Sequence, residues 1–181
     1  MSLNFESPIL SDYHIEQAIK EGDLGIEPFN EANINPASYD LSLCNIKSLT
    51  NPNVKTLRKQ TEEGIIQIYP HESVLCGTLE EVSIPKNLAA FITLKSTPQR
   101  HGLMGPVGWI DPGFKGTLTC LIQNTTGDVI DLRFAQRMWN LVFCKVASVQ
   151  NGYGGKYQEK TDIQEAVDDV NVDLTSLEST L

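Results

Sequence analysis

The sequence predicts a single, mainly β domain, a barrel or jelly-roll-like sandwich, preceded by one short helix. Two observations support this fold class. Many short segments alternate apolar and polar residues, as strands with one buried face do. Glycine and proline separate these segments at close spacing, and many short strands joined by turn residues are typical of all-β barrels and sandwiches.

The first element is expected to be an amphipathic helix. Ser11 is a suitable N-cap, and the apolar residues Ile15, Ala18 and Ile19 follow it at helical spacing. Gly22 is a suitable stop, because glycine readily adopts the left-handed conformation that ends many helices. The helix should therefore lie between residues 11 and 22.

Seven segments after the helix are predicted strands. They lie at residues 40–43, 66–68, 73–78, 88–94, 118–122, 129–132 and 138–146. Near residue 150 the composition changes to glycine and tyrosine and then to a polar, acidic tail. Residues 1–150 are expected to form one β domain, and residues 151–181 a flexible C-terminal lid segment and acidic tail.

Composition narrows the class of protein. The chain has 181 residues, which suits one domain better than two. Its net charge of −9 argues against binding to polymeric nucleic acid, although a local cluster of donors could still hold a small phosphorylated ligand. No apolar run approaches a membrane span, and no signal-peptide pattern is visible, so a cytoplasmic protein without a membrane partner is expected.

The four cysteines, Cys44, Cys76, Cys120 and Cys144, are widely spaced and form no CxxC pair. They are interpreted as buried, reduced thiols. A zinc site is not expected, and the ligand pattern of zinc-dependent deaminases, H-x-E with P-C-x-x-C, is absent.

Three segments carry residues suited to chemistry. The first, residues 95–102, is a predicted loop with two cations, Lys95 and Arg100, and two hydroxyls, Ser96 and Thr97. Cations, hydroxyls and free backbone N–H groups are what phosphate oxygens require. A solvated turn is the alternative interpretation.

The second segment, residues 105–116, is a predicted glycine-rich hairpin followed by a lone carboxylate, Asp111. Glycines such as Gly108 allow a ligand to approach the backbone closely. Asp111 is a candidate general base for water, and a turn-forming aspartate before Pro112 and Gly113 is the alternative.

The third segment, residues 152–158, combines glycines with Tyr153, Lys156 and Gln158. Such a segment suits a lid that closes over a base and phosphates. A flexible linker is the alternative.

Taken together, these segments resemble the dCTP deaminase and trimeric dUTPase family. The resemblance covers residues 9–158 and rests on five runs: Ile-Leu-Ser-Asp (9–12), Asn-Pro-Ala-Ser-Tyr-Asp-Leu (35–41), Lys-Ser-Thr (95–97), Gly-Trp-Ile-Asp-Pro-Gly-Phe-Lys-Gly (108–116) and Gly-Lys-Tyr-Gln (155–158). It implies a distorted β-barrel of the dUTPase-like type, a homotrimer with sites between subunits, and a Mg²⁺-bound deoxypyrimidine nucleoside triphosphate as substrate.

The resemblance also implies roles for single residues. Ser96 and Arg100 match the phosphate-binding loop of the family, with Lys95 where an arginine is usual. Asp111 matches the carboxylate that contacts the deoxyribose and, in diphosphatases, orients the attacking water. Phe114 matches the aromatic residue beneath the sugar, which excludes a 2′-hydroxyl.

Further matches lie in the hairpin, the C-terminal segment and the first motif. Gly108 and Trp109 belong to the hairpin that contacts the pyrimidine. Tyr153, Lys156 and Gln158 match the segment that closes over the nucleotide. Asp40 matches the aspartate of the first dUTPase motif, which lies near the metal-bound phosphates.

Two departures from the deaminase pattern favour diphosphatase chemistry. Deaminases carry a glutamate five residues beyond the last glycine of the central run, and Leu121 occupies that position. Leucine cannot move the protons that removal of ammonia requires, and loss of a general acid–base typically costs about 10²- to 10⁴-fold in rate. The hairpin is also shorter than in deaminases, and the spacing from His101 to Asp111 resembles that of dUTPases.

The sequence therefore favours hydrolysis of dUTP to dUMP and pyrophosphate. A dCTP deaminase is the close alternative, because the N-terminal helix, Trp109 and the 155–158 run are deaminase-like. A catalytically silent nucleotide-binding homologue is the third hypothesis.

Overall fold

The computed structural model describes residues 8–50, 64–147 and 149–167. Its elements, in chain order, are α1 (Asp12–Lys20), β1 (Gly25–Glu27), the 3-10 turn η1 (Glu31–Asn33), β2 (Ile34–Asn35), β3 (Ser38–Ser48), β4 (Ile65–Ile68), β5 (Ser73–Ser83), β6 (Leu88–Leu94), α2 (Ser96–Arg100), β7 (Leu103–Met104), β8 (Gly108–Ile110), β9 (Lys115–Asn124), β10 (Ile130–Arg133) and β11 (Arg137–Lys145). The predicted mainly β fold with an N-terminal helix is confirmed.

Nine strands form one antiparallel sheet that curls into a half-barrel. The strand order is β7-β9-β5-β3-β11-β6-β8, with β1 paired to β5 and β2 paired to β3. Strands β4 and β10 form a separate two-stranded ribbon.

The hydrophobic core lies inside the curled sheet. In β3, apolar residues that face this core alternate with polar residues on the other side of the strand. Tyr39, Leu41 and Leu43 are fully buried on the core side. Asp40 and Ser42 point to the opposite side of the strand and are also buried there. Burying one large apolar side chain stabilises the fold by about 1.5–3 kcal/mol, so this alternation fixes the register of β3.

The N-terminal helix is close to its prediction. It buries Ile15 against the sheet, and Gly22, with φ +79°, follows its end in the left-handed conformation. The Ser11 hydroxyl contacts Nδ1 of His14 at 2.8 Å, and the structure gives it no capping bond to a backbone N–H.

The predicted loop at residues 95–102 is partly wrong, because residues 96–100 form the helix α2. Pro98 is compatible with this turn of helix, since the first residues of a helix donate no intrahelical hydrogen bond. The helix places Ser96 at its start and Arg100 at its end.

The predicted hairpin at residues 105–116 is also wrong. β7 pairs with β9 and β8 pairs with β6, so the two short strands do not pair with each other. They lie at opposite ends of the strand order, and the curl of the sheet brings those ends close enough for a short connection. Gly105 is required there, because a Cβ at this position would lie 2.6 Å from the Leu121 carbonyl oxygen.

The four cysteines are free, but only Cys76 is fully buried, which corrects the expectation for Cys44, Cys120 and Cys144. These three residues lie on β3, β9 and β11 and are partly buried, although the thiol of Cys120 is desolvated enough to raise its pKa. In the described part of the chain, every helix is too short or too polar to cross a membrane.

Candidate functional site

Asp111 lies where β8 ends and the chain turns into β9. The turn is fixed by two backbone hydrogen bonds, from Gly113 N to Ile84 O at 2.9 Å and from Phe114 N to Asp111 O at 3.2 Å. Gly113 adopts φ +86°, which suits glycine. The Asp-Pro-Gly sequence thus forms the turn and also holds a carboxylate at a defined position.

A pocket of about 310 Å³ opens beside this turn. Its lining comprises Trp109, Ile110, Asp111, Phe114, Thr117, Leu118, Thr119, Tyr153, Tyr157 and Gln164. Four of these residues are aromatic, and Asp111 is the one carboxylate among these ten. Mostly apolar walls with a few polar groups are typical of small-molecule sites.

Trp109 and Asp111 lie on the same side of the chain at the end of β8. Ile110, between them, is buried in the core. The indole Nε1–H of Trp109 donates a hydrogen bond to Oδ1 of Asp111 at 3.0 Å. The rest of the Trp109 ring is largely in solvent, with 59% of the residue exposed.

The C-terminal segment covers one wall of the pocket. Tyr153 N donates to Pro112 O at 2.7 Å, and the Tyr153 ring meets the Phe114 ring edge-on at 5.5 Å between centroids. The Gln158 side chain donates to Gly113 O at 2.9 Å and accepts from Lys115 N at 3.1 Å. Phe114, Tyr153 and Gln158, all predicted from the sequence, are thus brought together.

The same segment continues along the edge of β9. Glu159 N donates to Lys115 O at 2.7 Å, and Thr117 N donates to Lys160 O at 2.9 Å. Gly116 and Lys160 form an isolated parallel bridge. In this structure the predicted lid segment is docked on its own subunit, and its flexibility stays a prediction; residues 168–181 of the acidic tail lie outside the described residues.

Lys156 lies outside the pocket lining. Its ammonium lies 5.5 Å from the centre of the Tyr157 ring and donates a hydrogen bond to the Val167 carbonyl. It is absent from the pocket lining, so the structure of one subunit does not join this cation to Asp111.

The predicted phosphate-binding residues lie at the other end of β6. Ile110 pairs with Ala90, whereas Lys95 lies five residues beyond Ala90 in the direction away from Asp111. Five strand residues span about 17 Å. Lys95, Ser96, Thr97 and Arg100 are accordingly absent from the pocket lining.

Lys95 belongs to a charged cluster around Asp40. The Asp40 carboxylate is almost fully buried and accepts hydrogen bonds from Lys95 Nζ at 2.5 Å and Asn35 Nδ2 at 2.8 Å. Nη1 of Arg137 lies 3.6 Å from Oδ2 of Asp40. Sequence reasoning missed Arg137, the first residue of β11.

These partners leave Asp40 poorly suited to bind a metal directly. Its negative charge is already met by two cations, and the described residues contain no group of three or more His, Cys, Asp or Glu side chains that could hold a metal ion. Binding of Mg²⁺ through substrate phosphates, which the resemblance implies, stays a prediction.

The position expected to carry a deaminase glutamate lies on the pocket side of β9. Thr117 and Thr119 line the pocket, and Leu121 follows at the next outward position, 40% exposed. It pairs with Leu75 of β5. This part of β9 thus presents hydroxyls and an apolar side chain.

Gly108, a predicted ligand-approach glycine, has a packing role. A Cβ there would lie 3.0 Å from Ile92 Cγ2 of the neighbouring strand. Sequence reasoning missed Thr117, Thr119, Tyr157 and Gln164 as lining residues. Alternation along β9 could have indicated the two threonines, whereas Gln164 depends on the path of the docked segment.

Comparisons with known proteins identify the family of this chain. The family model described as dCTP deaminase-like matches residues 9–146. A dCTP deaminase of Pyrococcus horikoshii is 30% identical over 154 residues, covering 84% of this chain and 93% of the relative. A dUMP-forming dCTP deaminase of Persephonella marina is 33% identical over 165 residues, covering 83% and 91%.

A solved structure has the same fold. The 2′-deoxycytidine 5′-triphosphate deaminase of Agrobacterium tumefaciens superposes with a TM-score of 0.65 at 18% identity, covering 77% of this chain. The chain spans about half the length of that solved protein, 48%. With the family model over residues 9–146 and relatives matched along most of their length, this chain belongs to the dCTP deaminase-like family.

Proposed function

We propose that this protein hydrolyses dUTP to dUMP and pyrophosphate. The observation that carries the proposal is the set of side chains in and beside the pocket. Asp111 is the one carboxylate of the pocket lining. The apolar residue Leu121, two residues beyond the lining residue Thr119 on β9, occupies the position that would need an acid in a deaminase.

In this mechanism a water oxygen attacks the α-phosphorus of the bound nucleotide. Asp111 accepts a proton from the water, the bond between the α-phosphorus and the bridging oxygen breaks, and pyrophosphate leaves with the bond electrons. A carboxylate at a fixed turn beside a pocket is suited to hold that water.

The charge on the triphosphate requires cations that this pocket lacks in one subunit. Lys95 lies about 17 Å along β6 from the level of Ile110, and Ser96 and Arg100 follow it on α2. We infer that a neighbouring copy supplies them, which agrees with the homotrimer implied by the sequence resemblance. Cations at this place would stabilise the charge that develops on the leaving group.

The sugar would lie against Phe114. Its ring is nearly buried at the floor of the pocket, and Tyr153 packs edge-on against it. A ring at van der Waals contact with C2′ leaves no space or hydrogen-bond partner for a ribose 2′-hydroxyl, so a deoxynucleotide is expected. Tyr153 and Gln158 would close the segment 151–167 over the nucleotide as a lid.

Deamination of dCTP is the second candidate, and a specific observation favours it. Relatives that are 30% and 33% identical along most of their length carry the name dCTP deaminase, one of them as the dUMP-forming type. These names favour an enzyme that deaminates dCTP over an enzyme that only hydrolyses dUTP. Against it stands Leu121, because attack of water at C4 and departure of ammonia require a group that exchanges protons.

One experiment separates the candidates. The purified protein is incubated with dUTP or dCTP and Mg²⁺, and dUMP, dUTP, pyrophosphate and ammonia are quantified. Hydrolysis predicts dUMP and pyrophosphate from dUTP, with no ammonia from dCTP. Ammonia from dCTP would establish the second candidate, and binding without turnover would indicate the catalytically silent homologue.

Asp111→Asn is the matched variant for this assay. Asparagine keeps the shape of the side chain and the turn but cannot accept the proton, so turnover should fall by at least about 10²-fold while nucleotide binding persists. Full activity of the variant would remove Asp111 from the mechanism.

A further inference from the structure

Trp109 presents a large aromatic side chain at the surface of the protein. Its residue is 59% exposed, whereas the other tryptophan, Trp139, is buried in the core. The one polar group of an indole is its N–H, which can only donate. In Trp109 that group is directed to Oδ1 of Asp111 at 3.0 Å.

The backbone makes this contact a fixed one. β8 is an edge strand held by β6, with Phe91 paired to Trp109 and Ala90 paired to Ile110. Ile110 anchors the strand in the core, and the turn after Asp111 is closed by its own hydrogen bonds. Trp109 lies on this strand and Asp111 directly follows it, with Ile110 between them, so the backbone places both side chains on the same side at a constant spacing.

We propose that Trp109 is a positioning residue, whose indole N–H holds one oxygen of the Asp111 carboxylate and directs the other toward the attacking water. The inference rests on the proposed hydrolytic function. A carboxylate held at one oxygen loses rotation about its χ2 bond, so its second oxygen keeps one direction. Correct orientation of a reacting group can account for a large share of a rate enhancement.

A purely structural role for Trp109 explains less. The ring contributes little to the core, since most of it is in solvent. A role limited to binding the nucleotide through its ring face would not need the N–H group. Only the positioning role needs the indole N–H group, so a substitution that removes this group distinguishes the two roles.

The test uses Trp109→Phe, which retains an aromatic ring and removes the donor, measured with dUTP and Mg²⁺. A positioning role predicts that kcat falls about 10- to 100-fold, the effect of one lost hydrogen bond to a charged group. KM and Tm should stay at wild-type values. Trp109→His, which restores a ring N–H, should recover part of the lost kcat.

The matched control is Tyr13→Phe, which removes one polar group from another exposed aromatic residue, on α1 and outside the pocket. It should leave kcat unchanged. In an Asp111→Asn background, Trp109→Phe should cause no further loss, because the group that it positions is already disabled.

The outcomes separate the two proposals. If the wild-type protein hydrolyses dUTP and Trp109→Phe has the same kcat, the positioning role is overturned and the proposed function stands. A raised KM with unchanged kcat would overturn the positioning role as well and would make Trp109 a nucleotide-contact residue. Absence of dUTP hydrolysis by the wild-type protein would overturn both the proposed function and this inference.

Discussion

Gly116 and Lys160 lie side by side in a parallel bridge that joins the C-terminal segment to the start of β9. Gly116 has φ +145°, and a Cβ there would lie 2.7 Å from the Lys160 carbonyl oxygen. The same carbonyl accepts the hydrogen bond from Thr117 N. Docking of the segment beside the pocket therefore depends on the absence of a side chain at position 116.

Gly116→Ala should loosen this segment. A left-handed conformation costs a residue with a Cβ about 1–2 kcal/mol, and the carbonyl must also move. We expect hydrogen exchange at the Thr117 amide to accelerate about tenfold and turnover of dUTP to slow. Gly154→Ala is the control, because no atom lies within 4 Å of a Cβ at that position. Unchanged exchange at Thr117 in Gly116→Ala would contradict this account of docking.

Asp40→Asn should lower the free energy of unfolding. The substitution removes a buried negative charge that faces Lys95 and Arg137. Hydrogen bonds to charged groups contribute about 1.5–3 kcal/mol, and the partial exposure of both cations places the expected loss near the lower figure. Urea unfolding measures it. Asp131→Asn, an exposed partner of Gln67, should change stability by less than about 0.5 kcal/mol, and equal losses would contradict a special role of Asp40.

Glu80→Gln should stabilise the protein at neutral pH. Burial raises the pKa of Glu80 above its ordinary value of 4.5, while Ser42 N donates to its Oε2 at 2.8 Å. The folded state thus holds this proton more tightly than the unfolded state, so wild-type stability falls as pH rises above about 4.5 through the raised pKa. Glutamine removes that penalty and can still accept from Ser42.

The advantage of Glu80→Gln should therefore be present at pH 7 and disappear near pH 4, as measured by urea unfolding at both values. Glu81→Gln, at a more exposed neighbouring position, is the control. A variant that is less stable than wild type at pH 7 would show that the Glu80 charge is favourable in the folded state.

Cys120 should resist alkylation in the folded protein. Burial raises the pKa of its thiol to about 12, and the thiolate is the reactive form. At pH 8 this makes the reaction about a thousandfold slower than for a thiol with a pKa of 9.0. Iodoacetamide labelling and peptide mass spectrometry, with and without urea, measure the difference. Rapid labelling in the folded state would contradict the raised pKa of this thiol.

The elements of the fold that could be predicted are those set by local pattern. Alternation of polar and apolar residues over residues 40–43 identified a strand, although β3 extends on both sides of the predicted segment. The helix α2 was missed because five residues carry too little periodicity for a prediction. The hairpin was wrong because a glycine-rich segment between two strands does not reveal that each strand has a different partner.

The candidate site likewise contains residues that local sequence could predict and residues that it could not. Asp111, Phe114, Tyr153 and Gln158 were predicted, and the structure brings them together, because the segments that carry them follow recognisable runs. The cluster of Asp40, Lys95 and Arg137 joins three strand ends far apart in the chain, which no local pattern indicates. The distance between Lys95 and Asp111 likewise follows from strand register, which only the folded sheet defines.

The most direct test of the central claim is hydrolysis in water enriched with ¹⁸O, followed by mass spectrometry of the products. Attack of water on the α-phosphorus of dUTP predicts one ¹⁸O in the phosphate of dUMP and none in pyrophosphate. With dCTP as substrate, the base should remain cytosine. Label in pyrophosphate, or ¹⁸O at C4 of a uracil formed from dCTP, would contradict the account.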